Sequence, residues 1–215
     1  MVPDPSDFDR QVFVNCPFDD HYQPLLRALV FTILDCRLTP RIASEEVDSG
    51  RVRFEKIRGL IRACRFSIHD ISRIEPLHSG DLPRFNMPFE LGLDLGCRLY
   101  ASGRLAGKQC LILEREKYRY QRVLSDISGN DIRAHGGDIQ TLISEVRKWL
   151  VVATAKDLPS GSHIWQRFNL FLGFLQASMR KTGFTTEEIE TLETAEWIRR
   201  AQSWIDSDAA HPAAW

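Results

Sequence analysis

Apolar positions in the first 150 residues switch repeatedly between a two-residue and a helical period. Five short runs have strand character: Gln11-Val-Phe-Val-Asn15, Pro40-Arg-Ile-Ala43, Phe66-Ser-Ile-His-Asp-Ile71, Gln109-Cys-Leu-Ile-Leu-Glu114 and Ile132-Arg-Ala-His135. Between them, apolar residues recur at helical spacing. Leu25, Leu26, Leu29, Val30 and Ile33 predict a helix over 22–35, and Phe54, Ile57, Leu60, Ile61 and Cys64 another over 54–64. Further helices are predicted over 87–100, 118–124 and 138–151. Strand and helix alternate throughout, which calls for a parallel sheet covered on both faces. The expected fold is α/β and flavodoxin-like, with about five strands in the order 2-1-3-4-5.

Pro24 suits the first turn of its helix, and Asn86 with Pro88 suits a capped start of the helix over 87–100. The first ten residues, rich in proline and acid, read as a flexible leader; residues 11–156 read as the α/β domain. Asp157-Leu-Pro-Ser-Gly-Ser162 then resembles a linker into a helical extension over 157–215. Two amphipathic helices, 163–181 and 185–207, are expected there, joined by Thr182-Gly-Phe184. Thr185-Thr-Glu-Glu188 has the form of a capping box. Trp165, Phe168, Phe171, Phe174 and Leu175 form an apolar stripe, which either packs on the α/β core or joins two copies of the chain in a homo-oligomer.

Composition narrows the partners. The 215-residue chain is 43% hydrophobic and 27% charged with a net charge of −1, so no global field draws it to nucleic acid or to a membrane surface. Its five cysteines are scattered and lack Cys-x-x-Cys spacing, and the histidines lack metal-ligand spacing. We therefore expect no metal, no disulfide framework and a reducing, cytoplasmic setting. No run reaches the roughly 18 apolar residues of a membrane span.

In an open parallel sheet, ligands bind beyond the carboxyl ends of the strands. That rim receives Asn15, Cys16, Pro17, Phe18 and Asp19 after the first strand, and Ser44, Glu45, Glu46 and Asp48 after the second. His69, Asp70 and Ser72 follow from the third, and the next helix opens with Asn86-Met-Pro-Phe-Glu90. Glu90 falls about one turn into that helix, where the helix dipole should hold it ionised. Such a carboxylate suits a nucleophile or a stabiliser of a sugar cation, or it merely satisfies the helix start. Asp70 is equally a ligand-binding acid or a turn cap. His69, alternating with Asp70, belongs on the opposite side of the strand and reads as structural. The first turn lacks Gly-x-Gly-x-x-Gly, and no phosphate-binding Gly-x-x-x-x-Gly-Lys run occurs, which disfavours dehydrogenase and NTPase chemistry.

Three segments in order carry a resemblance: Val12-Phe-Val-Asn-Cys-Pro-Phe-Asp19, Phe66-Ser-Ile-His-Asp-Ile-Ser72 and Arg84-Phe-Asn-Met-Pro-Phe-Glu-Leu-Gly92. Together they resemble the nucleoside 2-deoxyribosyltransferase-like superfamily and its relatives among TIR-like NAD hydrolases. The resemblance implies metal-independent cleavage of an N-glycosidic bond in NAD, a nucleotide or a nucleoside, with no cofactor and with NAD as a possible substrate. On that basis Glu90 is the catalytic residue. Asp70 binds base or sugar, Asn86 orients the sugar or Glu90, and Asn15, Phe18 and Asp19 line the pocket. Stand-alone bacterial proteins of this kind resemble defence or toxin effectors. The competing expectation is a nucleotide-sensing or interaction module that uses the same cleft without chemistry. A receiver domain would share the fold, but its acidic pair is replaced by Asn15 and Cys16.

Overall fold

The computed structural model describes residues 5–45, 48–74 and 82–210. Five parallel strands, β1 (Gln11–Asn15), β2 (Thr39–Ile42), β3 (Phe66–Asp70), β4 (Gln109–Glu114) and β5 (Arg133–Ala134), form one sheet in the order β2-β1-β3-β4-β5. Between β1 and β2 lies α1 (Gln23–Asp35), between β2 and β3 α2 (Arg53–Ala63), and between β3 and β4 α3 (Asn86–Tyr100); α4 (Ile139–Thr154) follows β5. Then come α5 (Gly161–Lys181), α6 (Thr186–Glu190) and α7 (Thr194–Ala210). The flavodoxin-like order expected from the alternation is the one present. Val12 pairs with Pro40 on one side and Phe66 on the other, and Ile68 pairs with Leu111.

Every residue of β1 and β3 is buried, because helices cover both faces of the sheet. Side-chain alternation separates the two faces. Val12, Val14, Phe66, Ile68, Leu111 and Leu113 join the large core beneath α1 and α4, whereas Phe13 packs with Ile57, Leu60 and Ile61 of α2. His69 and Asp70, neighbours in β3, accordingly point to opposite faces, as alternation predicts.

Five local expectations are revised. Pro5–Arg10 forms a 3-10 turn rather than a flexible leader, since Phe8 is buried, Arg104 lies 4.8 Å over its ring, and Asp9 pairs with Arg65 at 2.8 Å. Residues 1–4 lie outside the described residues. The helix expected over 118–124 is replaced by 3-10 turns at Arg119–Arg122 and Ser125–Ile127. Tyr118 enters the first of these with φ 66°, a left-handed conformation that cannot continue a helix, and Arg119 is tied to Glu114 and to the Ser72 carbonyl. Asn86 is the first helical residue of α3, with Phe85 in the cap position, and it makes no capping bond.

The expected helix over 185–207 is broken in two. Thr191 closes the short α6, and α7 starts at Thr194. The capping box is present, with Thr185 Oγ1 accepting from Glu188 N at 3.2 Å and Glu188 accepting from Thr185 N at 2.7 Å. Thr185→Ala should lower stability by about 1 kcal/mol in urea melts, the usual effect of losing an N-cap. The presumed linker is also anchored: Arg147 donates to the carbonyls of Leu158 and Pro159 at 2.9 and 2.8 Å. Phe168, Phe171 and Leu175 of the α5 stripe pack inward, whereas Phe174 stays exposed. Phe168 and Phe171 sit 5.4 and 5.7 Å from Phe31 of α1, and Phe171 meets Trp197 of α7 edge to face at 5.3 Å. No helix among the described residues is long and apolar enough to cross a membrane.

Candidate functional site

The carboxyl end of the sheet brings together three of the acidic side chains singled out by sequence, Asp19, Asp70 and Glu90. The loop after β1 carries Cys16, Phe18 and Asp19, β3 ends at Asp70, and the first turns of α3 bring Glu90 over the same rim. Their proximity has an electrostatic signature: burial pushes the Cys16 thiol well up, and the fields of Asp70, Glu90 and Asp19 push it further. Glu46 and His78 lie outside the described residues.

Glu90 is only 6% exposed, and its carboxylate has no hydrogen-bond partner among the described residues. Burial raises its pKa from 4.5 to about 7, against the opposing field of Arg53 at the start of α2. The sequence-based expectation that the helix dipole holds this group ionised is therefore revised. Glu90 is the fifth residue of α3, beyond the turn where the dipole acts strongly, and desolvation outweighs it. A carboxyl poised near neutrality can change protonation state during a reaction, the property expected of an acid–base or nucleophilic group.

The other acids are fully engaged. Asp70 is completely buried and receives three donors: Tyr22 Oη at 2.5 Å, Ser72 N at 2.9 Å and His135 Nε2 at 3.0 Å. Burial alone would raise its pKa, but these donors outweigh it and hold the carboxyl below its ordinary value. Ser72 Oγ also lies 3.1 Å from His135 Nε2, and Gly137 N donates to Nδ1 at 3.0 Å. Both acid and hydroxyl thus meet the same ring nitrogen, which is not the arrangement of a Ser-His-Asp triad, where the acid holds the other one. The cluster binds β3, α1 and the turn after β5 together.

Asp19 forms a two-pronged pair with Arg73 (Nε to Oδ2 3.0 Å, Nη2 to Oδ1 2.8 Å), with Arg84 at 3.9 Å. That Arg73 hydrogen bond lowers its pKa against a partial burial penalty. The amide of Asn15 is buried and donates to Met87 O at 3.0 Å and His69 Nδ1 at 2.9 Å. Phe18 packs against the core under α1, and Asn86 is exposed at the start of α3. Of Asp19, Asp70 and Glu90, Glu90 is thus the acid left without a hydrogen-bond partner among the described residues. Two exposed aromatics adjoin in sequence Glu90 and the Arg53 that acts on it: Phe89 precedes Glu90 and Phe54 follows Arg53, with their rings 6.2 Å apart.

Sequence reasoning missed Tyr22, Arg53, Arg73, Asp94, Lys108 and His135. One signal was available, since Asp94 lies four residues after Glu90 and shares its helix face, where an acid is out of place in an apolar stripe. Asp94 is buried beside His69 (3.0 Å) and Lys108 (3.1 Å). The His69 hydrogen bond and the Lys108 charge overcome the burial penalty and lower its pKa to about 2. Donor atoms of His69, Asp94 and Cys110 fall within 4.8 Å of one another. As a metal site the set is poorly suited: Asn15 and Asp94 occupy the two imidazole nitrogens of His69, and the Lys108 ammonium already supplies the positive charge.

Compared with known proteins, the chain matches no family model, no curated protein and no solved structure. The functional reading therefore rests on the rim itself and on the three motif segments.

Proposed function

We propose that the protein is a metal-independent N-glycosidase of the nucleoside 2-deoxyribosyltransferase-like or TIR-like kind, acting on NAD, a nucleotide or a nucleoside, with Glu90 as the catalytic carboxylate. The observation that carries this reading is a nearly buried, hydrogen-bond-free glutamate at the carboxyl rim of a 2-1-3-4-5 sheet. Cleavage of a ribosyl–base bond develops positive charge at the anomeric carbon, and an anion in a desolvated site stabilises it far better than one in water. Phe54 and Phe89 offer apolar faces on which a planar base can stack. A role as bacterial defence or toxin effector, and self-association of the chain, belong to the same proposal.

The test is release of free base from NAD and a panel of nucleosides and nucleotides, followed by mass spectrometry. Wild-type protein should release base, and Glu90→Gln should reduce the rate by about 10²–10³-fold, as expected for loss of a group that stabilises transition-state charge. Because the ionised form is the active one, kcat/KM should rise with pH through about 7 and level off above it. A rate that falls through the same range would assign Glu90 to general-acid duty instead. Tight nucleotide binding without base release would favour the non-catalytic sensing module.

A further inference from the structure

Beneath α3 runs a line of buried polar groups whose direction is set at its ends. The carbonyl of Met87, in the first turn of α3, can only accept, so the Asn15 atom 3.0 Å from it is the amide nitrogen. The same nitrogen donates to His69 Nδ1 at 2.9 Å, which places the ring proton on Nε2, where it is donated to Asp94 Oδ2 at 3.0 Å. The Lys108 ammonium lies 3.1 Å from Asp94 Oδ1, while its hydrogen bonds go to the carbonyls of Ile61 and Cys64, at 2.8 and 2.5 Å. Those carbonyls belong to the carboxyl end of α2, the negative pole of that helix. All four side chains are at most 3% exposed.

We infer that Asn15, His69, Asp94 and Lys108 are positioning residues, a polar spine that fixes the rotation of α3 and thereby aims Glu90 into the rim. Glu90 and Asp94 are four residues apart, so they share one helix face about 6 Å apart along the axis. Holding Asp94 against His69, and Met87 against Asn15, clamps α3 on both sides of Glu90. The spine also reaches α2, whose opposite end carries Arg53, the cation that acts on Glu90. The Asn15 amide can donate but neither takes up nor gives away a proton, so the chain aligns groups rather than relaying one. Asn15 thereby acts on Glu90 through α3, in place of direct substrate contact. The inference rests on the catalytic reading of Glu90 for its kinetic consequence but not for its structural one.

The charged group that acts on Glu90 is Arg53 from α2; Cys16, in the loop after β1, lies within reach of the Glu90 field and of Asp19 and Asp70, and Asp94 stands one turn on along the same helix. Full-length protein carrying ¹³C-labelled glutamate carboxyls lets the Glu90 signal, assigned by its loss in Glu90→Gln, be titrated alongside base-release kinetics. His69→Gln keeps an acceptor for Asn15 and a donor for Asp94, whereas His69→Leu keeps neither. His69→Leu should move the Glu90 midpoint from about 7 toward 4.5 as α3 loosens and water enters. It should lower kcat on the order of 10²-fold with KM little changed, the effect of misplacing a reacting group. His69→Gln should restore most of both. Asn15→Ala severs the spine without stranding a charge and is read the same way if His69→Leu does not fold. An unmoved Glu90 midpoint in the severed variants would overturn the inference. Absence of base release by the wild type would defeat the glycosidase reading alone, since the titration still decides the spine.

Discussion

Glu90→Gln should make the folded protein more stable above pH 7, by about 1–3 kcal/mol, even as it removes the group on which activity is proposed to depend. The direction follows from its carboxyl having a folded-state pKa of about 7 against an ordinary 4.5. Between those values the folded chain binds more protons than the unfolded one, so stability declines as pH rises and the full penalty is present above about 7. Below about 4.5 both states are protonated and the penalty vanishes. The glutamine amide carries its own desolvation penalty, but that penalty does not vary with pH. Urea melts of both proteins at pH 5 and pH 8 therefore isolate the carboxylate: the stability difference must shift in favour of Gln at pH 8. A difference that is equal at the two pH values would mean that Glu90 is solvated as an ordinary surface acid. Strain of this kind is typical where a group is held for chemistry rather than for stability.

The frame of this fold was visible in the chain because the relevant signals are local and strong. β4 reads as a buried apolar run, β3 alternates, and α1 and α4 carry helical stripes, so the order of the main elements follows from pattern. The positions of Glu90 and Asp70 at the rim followed from topology, and the opposite facing of His69 and Asp70 from strand alternation. What stayed hidden depends on partners distant in sequence. Asp70 looked available for a ligand because Tyr22 and His135 lie 48 and 65 positions away, and nothing in either segment announces the contact. Arg73 on Asp19 and Lys108 on Asp94 are hidden for the same reason. The charge state of Glu90 was misread because a helix start is legible in sequence and depth of burial is not.

Tertiary contact also explains two of the helical boundaries that differ. Residues 5–10 lack periodicity, yet one buried phenylalanine and two arginine contacts suffice to hold a 3-10 turn against the sheet. The break between α6 and α7 falls where Leu192 turns inward to the core, a change of direction that a single apolar stripe over 185–207 cannot make.

Removing residues 157–215 is expected to abolish folding of the α/β domain, not to release a soluble one. Phe31 of α1 is fully buried, and it is covered by Phe168 and Phe171 of α5 and by Trp204 of α7. The same core contains Ile164, Leu175, Met179, Trp197, Ala201 and Ile205, all at most 3% exposed, together with Leu26 and Leu34 of α1. Each large apolar side chain returned to water costs about 1.5–3 kcal/mol, so uncovering only three or four on α1 matches the roughly 5–15 kcal/mol that keeps a domain of this size folded. The ion pair of Arg167 with buried Asp35, at 2.9 Å, would be lost as well, leaving that acid without its cation. A chain ending at residue 156 should accumulate in the insoluble fraction, and any soluble portion should lack a cooperative thermal transition. A soluble, cooperatively melting 1–156 fragment would show instead that α5 and α7 rest on a core that is complete without them.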